Sequence, residues 1–382
     1  MKPTALSVST VVLTGCLALT TAGISACQQA HPSAPVAPSR ATSAADAGGM
    51  EALVKAAQRE GRLNTTTLLP DWANYGGLMA GFEKKYGIKI VNSNPFGSSQ
   101  EEINDIKRYR GQERAPDVFD LGDSFAQSAA RQNLLAPYRF AAFDELAPSQ
   151  RDAQARWYNS YGGYVSIGCD AKRVKVCPNS FADLLKPRYK GMVALDGTPT
   201  SAGTAFAAVF AAALANGGSF DNVRPGLDYF SHLAKVGNYN RTHSREYEIV
   251  RGVTPISIDW DFLNLEHTQE LRAQGVDWHV SIPFDGSFSQ YYAQAVSKDA
   301  PHPAAARLWE EYLHSTEGQN LRLAGYARPV LMASMAKDGT LDKEAAAKLP
   351  TVEGTPSFPS TAQLATALDV IRAGWDSAVG SG

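Results

Sequence analysis

The chain has 382 residues, of which 44% are hydrophobic and 19% charged, and its net charge is −2. That balance supports ordinary packed cores and excludes a disordered chain; the roughly 330 residues beyond the N-terminal region suffice for two domains at the usual ~100–200 residues each. There is no Lys/Arg-rich run and no repeat at a solenoid or propeller period, so neither a nucleic-acid footprint nor a repeat architecture is expected.

Lys2 precedes an apolar run from Ala5 to Ile24, diluted by Thr10, Thr14, Thr20 and Thr21. It closes on Ile24-Ser25-Ala26-Cys27: a branched apolar residue, two small ones and a cysteine. This order is the pattern of a bacterial lipoprotein signal, so residues 1–26 read as a cleaved signal peptide and Cys27 as the lipidated mature N-terminus. A membrane-spanning helix needs ~20 consistently apolar residues. Leu13-Thr14-Gly15-Cys16 fits the same pattern, but cleavage there leaves an apolar segment on the mature chain; an ordinary secretory signal is the blander alternative. Residues 27–49 are rich in Ala, Ser, Pro, Thr and Gly, with only Arg40 and Asp46 charged, and read as a flexible stalk. Structure is expected from about Met50, outside the cytoplasmic membrane, in a periplasm or on the outer face of a single-membrane cell.

From there helical and strand-like segments alternate. A helix over Glu51–Glu60 stops at Gly61, and Leu63–Leu69 reads as a strand running into a loop with Asp71, Trp72 and Tyr75. A helix over Leu78–Tyr86 stops at Gly87, and a short strand, Ile88–Val91, leads to a loop in which Ser98 or Ser99 caps a helix reaching about Arg110. Val118–Leu121 is a third strand, with Asp123 and Ser124 opening the next helix. Tyr164–Gly168 is strand-like, Ser180 caps a helix through Leu185, and the strand Met192–Leu195 runs into Thr200-Ser201-Ala202-Gly203-Thr204 ahead of an Ala-rich helix to Ala215. Pro255–Asp259 is a strand ending in Trp260-Asp261. Val280–Pro283 is another, and Tyr291–Val296 returns the chain to the first half. The end is helical over Pro303–His314, Glu317–Leu323 and Thr361–Val379. Such alternation implies parallel sheets covered on both faces.

Ligands of open α/β sheets bind beyond the carboxyl ends of strands, so the loops carry the functional question. The candidates there are Asp71, Trp72, Tyr75, Ser98, Ser99, Asp123, Ser124, Thr200, Ser201, Gly203, Asp259, Trp260, Asp261, Tyr291 and Tyr292. Hydroxyls and amides at helix starts suit an anion, and carboxylates beside Trp and Tyr suit an amine. Each also has a plainer reading, as a helix cap or as packing. No GxSxG elbow, phosphate-binding loop or dinucleotide fingerprint is present, so the layout is one for binding, with no visible reaction centre and no cofactor. The seven histidines are scattered, without HExxH spacing, and no metal site is expected. Cys169 and Cys177, an even pair in an oxidising compartment, most simply form a disulfide around a short loop.

The stretches Leu53–Gly61, Phe82–Ile88, Ala115–Leu121, Leu134–Tyr138, Pro301–Ala306, Ser315–Gln319 and Gly374–Asp376 resemble, in order and spacing, the extracellular solute-binding proteins of ABC importers. The resemblance is to the branch containing polyamine, ferric-iron, thiamine and phosphonate binders, and it spans roughly residues 50 to 380. It implies a type II periplasmic-binding-protein-like fold: two α/β lobes, each a mixed, mainly parallel sheet flanked by helices, joined by β-strand hinges and closing over one small ligand. The expected boundaries are 50–158 for the first part of lobe 1, 159–284 for lobe 2 and 285–382 for the return and C-terminal helices. The implied partner is a membrane ABC permease, with a monomer and no catalysis; a secreted α/β enzyme using the same cleft is the alternative. The anion-contacting turn of the family looks like Thr200–Gly203. Its ferric branch has adjacent tyrosines where this chain has Asp259-Trp260-Asp261, which argues against iron. The Trp72/Tyr75 and Trp260/Asp261 pairs look similar to the polyamine branch, leaving a polyamine-like cation or a zwitterionic aminophosphonate as the expected guest.

Overall fold

Two glycines set the first helices. In the computed structural model, which describes residues 36–352 and 358–380, α1 (Met50–Glu60) ends at Gly61 with φ of 66° and α2 (Tyr75–Tyr86) ends at Gly87 with φ of 70°. That left-handed conformation closes a helix at little cost only where there is no Cβ. Strands β1 (Arg62–Thr66) and β2 (Lys89–Ser93) pair in parallel beside them. α3 (Ser99–Arg108) opens on a capping box in which the Ser98 hydroxyl accepts from the Glu101 N–H and the Glu101 carboxylate accepts from the Ser98 N–H. β3 (Val118–Gly122), α4 (Asp123–Arg131) and β4 (Leu135–Ala136) complete this first half.

β5 (Tyr158–Asp170) is buried along all 13 of its residues. The second half follows as α5 (Phe181–Leu184), β6 (Val193–Leu195), α6 (Gly203–Ala215), α7 (Arg224–Lys235), α8 (Glu246–Val250), β7 (Ile256–Trp260), α9 (Asp261–Glu270) and β8 (Trp278–Ser281). β9 (Ser289–Ser297) returns the chain, and α10 (Pro303–Leu313), α11 (Thr316–Ala324), β10 (Arg328–Pro329), α12 (Met332–Asp338), α13 (Lys343–Ala346) and α14 (Thr361–Val379) finish it. The Ala-rich α6 is buried from Gly203 to Ala213, small side chains letting neighbours approach it from all sides.

The strand order β3-β9-β5-β7-β6 ties the halves together. β5 pairs with β9 up to Tyr164 and with β7 and β8 from Val165 onward, so one continuous strand changes partners midway. Gly162 and Gly163 mark the change. A Cβ on Gly162 would lie 2.4 Å from the Gln290 carbonyl oxygen, and one on Gly163 would lie 2.4 Å from the Asp261 carboxylate, so only glycine fits this crossing. Cys169 and Cys177 are joined as a disulfide just beyond.

The structure departs from the sequence expectations in two places. The sheets are mixed, but their parallel ladders are β1–β2 and β6–β7; β5 and β9 run antiparallel to every strand they pair with, because the two crossing strands go out and come back. The segment read as stalk is packed from Val36 onward: Ala41 is fully buried, its carbonyl accepts from the Arg307 Nε–H (2.7 Å), and Thr42 accepts from the Arg139 N–H (2.7 Å). Buried Arg307 needs an acceptor, and a chain with small side chains can supply a backbone carbonyl at close range. The last helix, α14, bridges the two halves. It packs on both α7 and α4, with Trp375 against Phe230 (5.3 Å) and the Arg372 guanidinium over Phe125 (5.7 Å). The signal region, Cys16 and Cys27 lie outside the described residues. Among the described residues no helix is long and apolar enough to cross a membrane.

Candidate functional site

The ends of β1, β2, β6 and β7 bring loops from both halves around two adjoining cavities, an inner one of about 150 Å³ and an outer one of about 570 Å³. Thr67, Trp72, Phe96, Gly97, Asp196 and Arg245 line both. The inner cavity adds Ser98, Ser99, Glu101, Asp120 and Tyr292 from one side and Thr198, Ser201, Gly203, Thr204 and His243 from the other. The outer adds Asp71, Glu246, Tyr247, Asp259, Leu263, Glu266, His267 and Glu270. Thr67 holds φ of 60°, which a β-branched residue rarely takes.

The halves touch across this cleft. The Gln100 N–H donates to the Ser201 carbonyl (3.3 Å), and Arg245 donates to the Phe96 carbonyl (3.5 Å). From α14, Arg372 donates to Gln100 (3.0 Å) and to the Thr200 carbonyl (3.5 Å).

Carboxylates dominate the lining. Asp120, in the middle of β3 and 8% exposed, accepts from the Tyr161 hydroxyl (2.8 Å) and from Gln294 (2.5 Å). Trp72 in turn donates its indole N–H to the Tyr161 oxygen (2.7 Å). Burial pushes the Asp120 carboxyl up to about 6, against the opposing pull of the Arg322 charge and these hydrogen bonds. Asp196, whose side chain keeps 25% exposure, is likewise pushed up to about 6 by burial, with the Arg245 guanidinium 3.8 Å away pulling the other way. Asp259 is buried, accepts from the Thr204 hydroxyl (2.5 Å) and its neighbour's Trp260 N–H (2.7 Å), and is driven well above the usual range by burial and then by Asp196.

At the mouth, Asp71, Glu266 and Glu270 place one carboxylate oxygen each within 4.8 Å of the others. Burial, followed by the repulsion of Glu270, Asp71 and Glu246, pushes Glu266 up to about 9. Burial pulls His267 down to about 4, and burial with Arg245 also lowers His243, so neither histidine offsets this acidity near neutral pH. Arg245 is the one Arg or Lys lining either cavity among the described residues.

Of the residues singled out in the sequence, Trp72, Ser98, Ser99, Ser201, Gly203 and Tyr292 line the inner cavity, and Asp71, Trp72 and Asp259 the outer. The others line neither. Tyr75 is buried with its ring against the Arg322 guanidinium (3.9 Å). Asp123 and Ser124 are buried in the first turn of α4, where burial lifts the Asp123 carboxyl to about 8. Thr200 offers only its carbonyl to Arg372. Trp260 is buried, donating its indole N–H to the Tyr292 oxygen (3.2 Å). Asp261 pairs with Arg328 and accepts from the Tyr164 N–H (2.9 Å), an internal partnership that removes it from the cleft. Tyr291 alternates away from Tyr292 on β9 and packs on Phe358 (5.3 Å).

Asp120, Asp196, Arg245, Glu266 and Glu270 also line the cavities, though none stood out in the sequence. Asp120 had a signal, an acid inside an otherwise apolar strand. Glu266 and Glu270 are i, i+4 neighbours on α9, and no helix was expected there, so their shared face was not visible.

A family profile described as bacterial extracellular solute-binding protein matches residues 113–354. No curated protein matches the chain. Among solved structures, the periplasmic binding protein AfuA from Actinobacillus pleuropneumoniae, with exogenous fructose-6-phosphate bound, is 18% identical, covers 84% of this chain and 98% of its own, and has a TM-score of 0.62. The ferric binding protein from Campylobacter jejuni is 16% identical, with 83% and 99% covered and a TM-score of 0.62. A putative spermidine/putrescine ABC transporter from Listeria monocytogenes is 15% identical, with 82% and 98% covered and a TM-score of 0.60. These likenesses establish the two-lobed type II fold. Since the profile spans well over half of the chain, the protein belongs to the bacterial extracellular solute-binding proteins of ABC importers.

Proposed function

We propose that this protein captures a small organic cation, a polyamine-like amine, between its lobes and delivers it to an ABC permease. One observation carries the reading: carboxylates from both lobes (Asp71 and Asp120 from one, Asp196, Asp259, Glu266 and Glu270 from the other) face a cleft whose lining, among the described residues, holds a single guanidinium. A positive guest lowers the cost of ionising each of those buried carboxyls and gains charge-assisted hydrogen bonds from them. Trp72, Phe96 and Tyr292 add π faces suited to ammonium groups. Because the acids come from both sides, the guest binds the closed arrangement better than the open one and shifts the population toward it.

The solutes named for the structural neighbours differ in charge and chemistry, so the preference rests on this lining alone. Ferric iron is disfavoured, since Asp259-Trp260-Asp261 stands where the resemblance to the ferric branch would place adjacent tyrosines. One feature favours a second reading, a zwitterion such as an aminophosphonate: α6 begins at the inner cavity with Ala202 as its N-cap and no side-chain cap hydrogen bond, next to Ser201, a setting that attracts an acidic group. The protein would act at the outer face of the membrane, held there by lipid on Cys27.

Calorimetric titration with putrescine, spermidine, 2-aminoethylphosphonate and ferric citrate tests this. Saturable binding of an amine, with the compound recovered unchanged, is expected. Binding of anionic solutes alone would overturn the cation reading, and a product seen by mass spectrometry would favour the enzyme alternative. Metabolic palmitate labelling that survives in Cys16→Ser and disappears in Cys27→Ser is expected for the anchor.

A further inference from the structure

Behind the inner cavity lies a charge that touches neither cavity. Arg322, on α11, is fully buried, with its guanidinium clamped between the rings of Tyr75 (3.9 Å) and Tyr161 (4.0 Å). Its Nη1–H donates to the Ala73 carbonyl (3.1 Å), while its Nε and Nη2 have no hydrogen-bond partner among the described residues. A buried cation so poorly supplied with acceptors is costly unless nearby negative charge compensates it. The compensation comes through the clamp. Tyr161 presents its ring to Arg322 and its hydroxyl to Asp120, while Gln294 joins Asp120 to the Tyr75 oxygen (3.1 Å).

We propose that Arg322 is a positioning residue for the binding site, acting through Tyr161 and Asp120 to fix a negative charge in the wall of the inner cavity. This rests on the cation reading above and adds to it a residue that never meets the guest. The same Tyr161 hydroxyl accepts from Trp72, so one phenol aims both the carboxylate and the indole that line the cavity. The ionisable groups around Asp120 are Glu102 from α3, Tyr75 from α2, Tyr161 from β5, Tyr292 from β9, Glu310 from α10 and Arg322 itself. Arg322 is the one cation among them. Glu310 is fully buried with neither oxygen hydrogen-bonded among the described residues, and burial pushes it well above the usual range, toward its neutral form.

The test reads Asp120 directly. In carboxyl-13C NMR of the Asp-labelled protein, Asp120→Asn identifies the Asp120 signal. Removing the charge with Arg322→Met should raise the titration midpoint of that signal by about one pH unit or more, and Arg322→Lys should bring it back toward the native value. If Arg322→Met does not fold, Tyr161→Phe, which keeps the cation but cuts the hydroxyl bond, should raise the midpoint as well. Spermidine titrated into the same proteins across pH should show the inflection in affinity moving up with the NMR midpoint. An Asp120 midpoint unmoved in these variants would overturn the proposal. Failure of spermidine to bind native protein at any pH would sink the cation reading while leaving the NMR result to decide the Arg322–Asp120 coupling on its own.

Discussion

Asp259 and Asp261 stand two residues apart at the junction of β7 and α9, and among the described residues only Asp261 is paired with a cation. Arg328 pairs with Asp261, whose carboxylate also accepts from the Tyr164 N–H, while Asp259 is met by the Thr204 hydroxyl and the Trp260 N–H and faces the outer cavity. One acid is part of the frame and the other lines the cleft.

The two should therefore part company on mutation. Asp261→Asn leaves Arg328 without its partner and should cost about 3–5 kcal/mol of stability, read by urea unfolding. Asp259→Asn should leave folding largely intact and weaken amine binding by roughly tenfold or more, about 1.4 kcal/mol. Equal effects of the two on affinity would show that the division is wrong.

The acidity of the cleft sets a pH dependence with a definite sign. Asp120 and Asp196 are pushed up to about 6, whereas an unfolded Asp titrates near ~4. Between those values the folded protein holds protons the unfolded chain has released. Their contribution is therefore fully present below about pH 4 and lost as pH rises through about 6. The Tm of ligand-free protein should lose this contribution on going up through that window, and Asp196→Asn should flatten the loss. A bound amine should do the opposite and raise Tm by more at about pH 7.5 than at about pH 5, because it needs the ionised forms. A larger gain on the acid side would contradict the cation reading.

The crossing of β5 admits no side chain at Gly163. Gly163→Ala would place a methyl 2.4 Å from the Asp261 carboxylate and 2.7 Å from Phe262. The expected cost is about 1–3 kcal/mol, with a change in the closing equilibrium that small-angle scattering with and without ligand can follow. A variant as stable as the native protein would mean that β5 can shift to make room.

Cys169 and Cys177 close a loop with a sequence separation of 8. For a loop this short the constraint on the unfolded chain is worth about 2–3 kcal/mol. Cys169→Ser with Cys177→Ser should lower unfolding free energy by that amount and leave amine affinity unchanged, since the bridge lies away from both cavities. A loss of affinity would tie the bridge to the cleft.

Local signals were enough for most of the elements. Gly61 and Gly87 end helices because no other residue takes left-handed φ so cheaply; Ser98 with Glu101 starts one because the pair satisfies two orphan N–H groups. The crossing strands were legible only in part. Tyr164–Gly168 read as a short strand, yet it is one part of β5, and the Gly162-Gly163 pair ahead of it is the passage between two partners. Val36–Gly49 read as stalk because it has no apolar stripe, and its anchor, the Arg307 bond to the Ala41 carbonyl, depends on a residue more than 250 positions away.

What the sequence determined by itself was the class: an exported two-lobed binder with polar loops at the carboxyl ends of its strands. The elements and loops follow from short-range propensity, periodicity and caps, export from the N-terminal pattern, and the two lobes from the resemblance to the solute-binding family. Which acids line the cleft was decided by tertiary structure alone. Asp261 and Asp123 carry the same carboxyl as Asp259 and Asp120, but burial, a partnering guanidinium or a turn of the backbone assigns each its role. Those influences come from residues distant in the chain, so no local pattern encodes them.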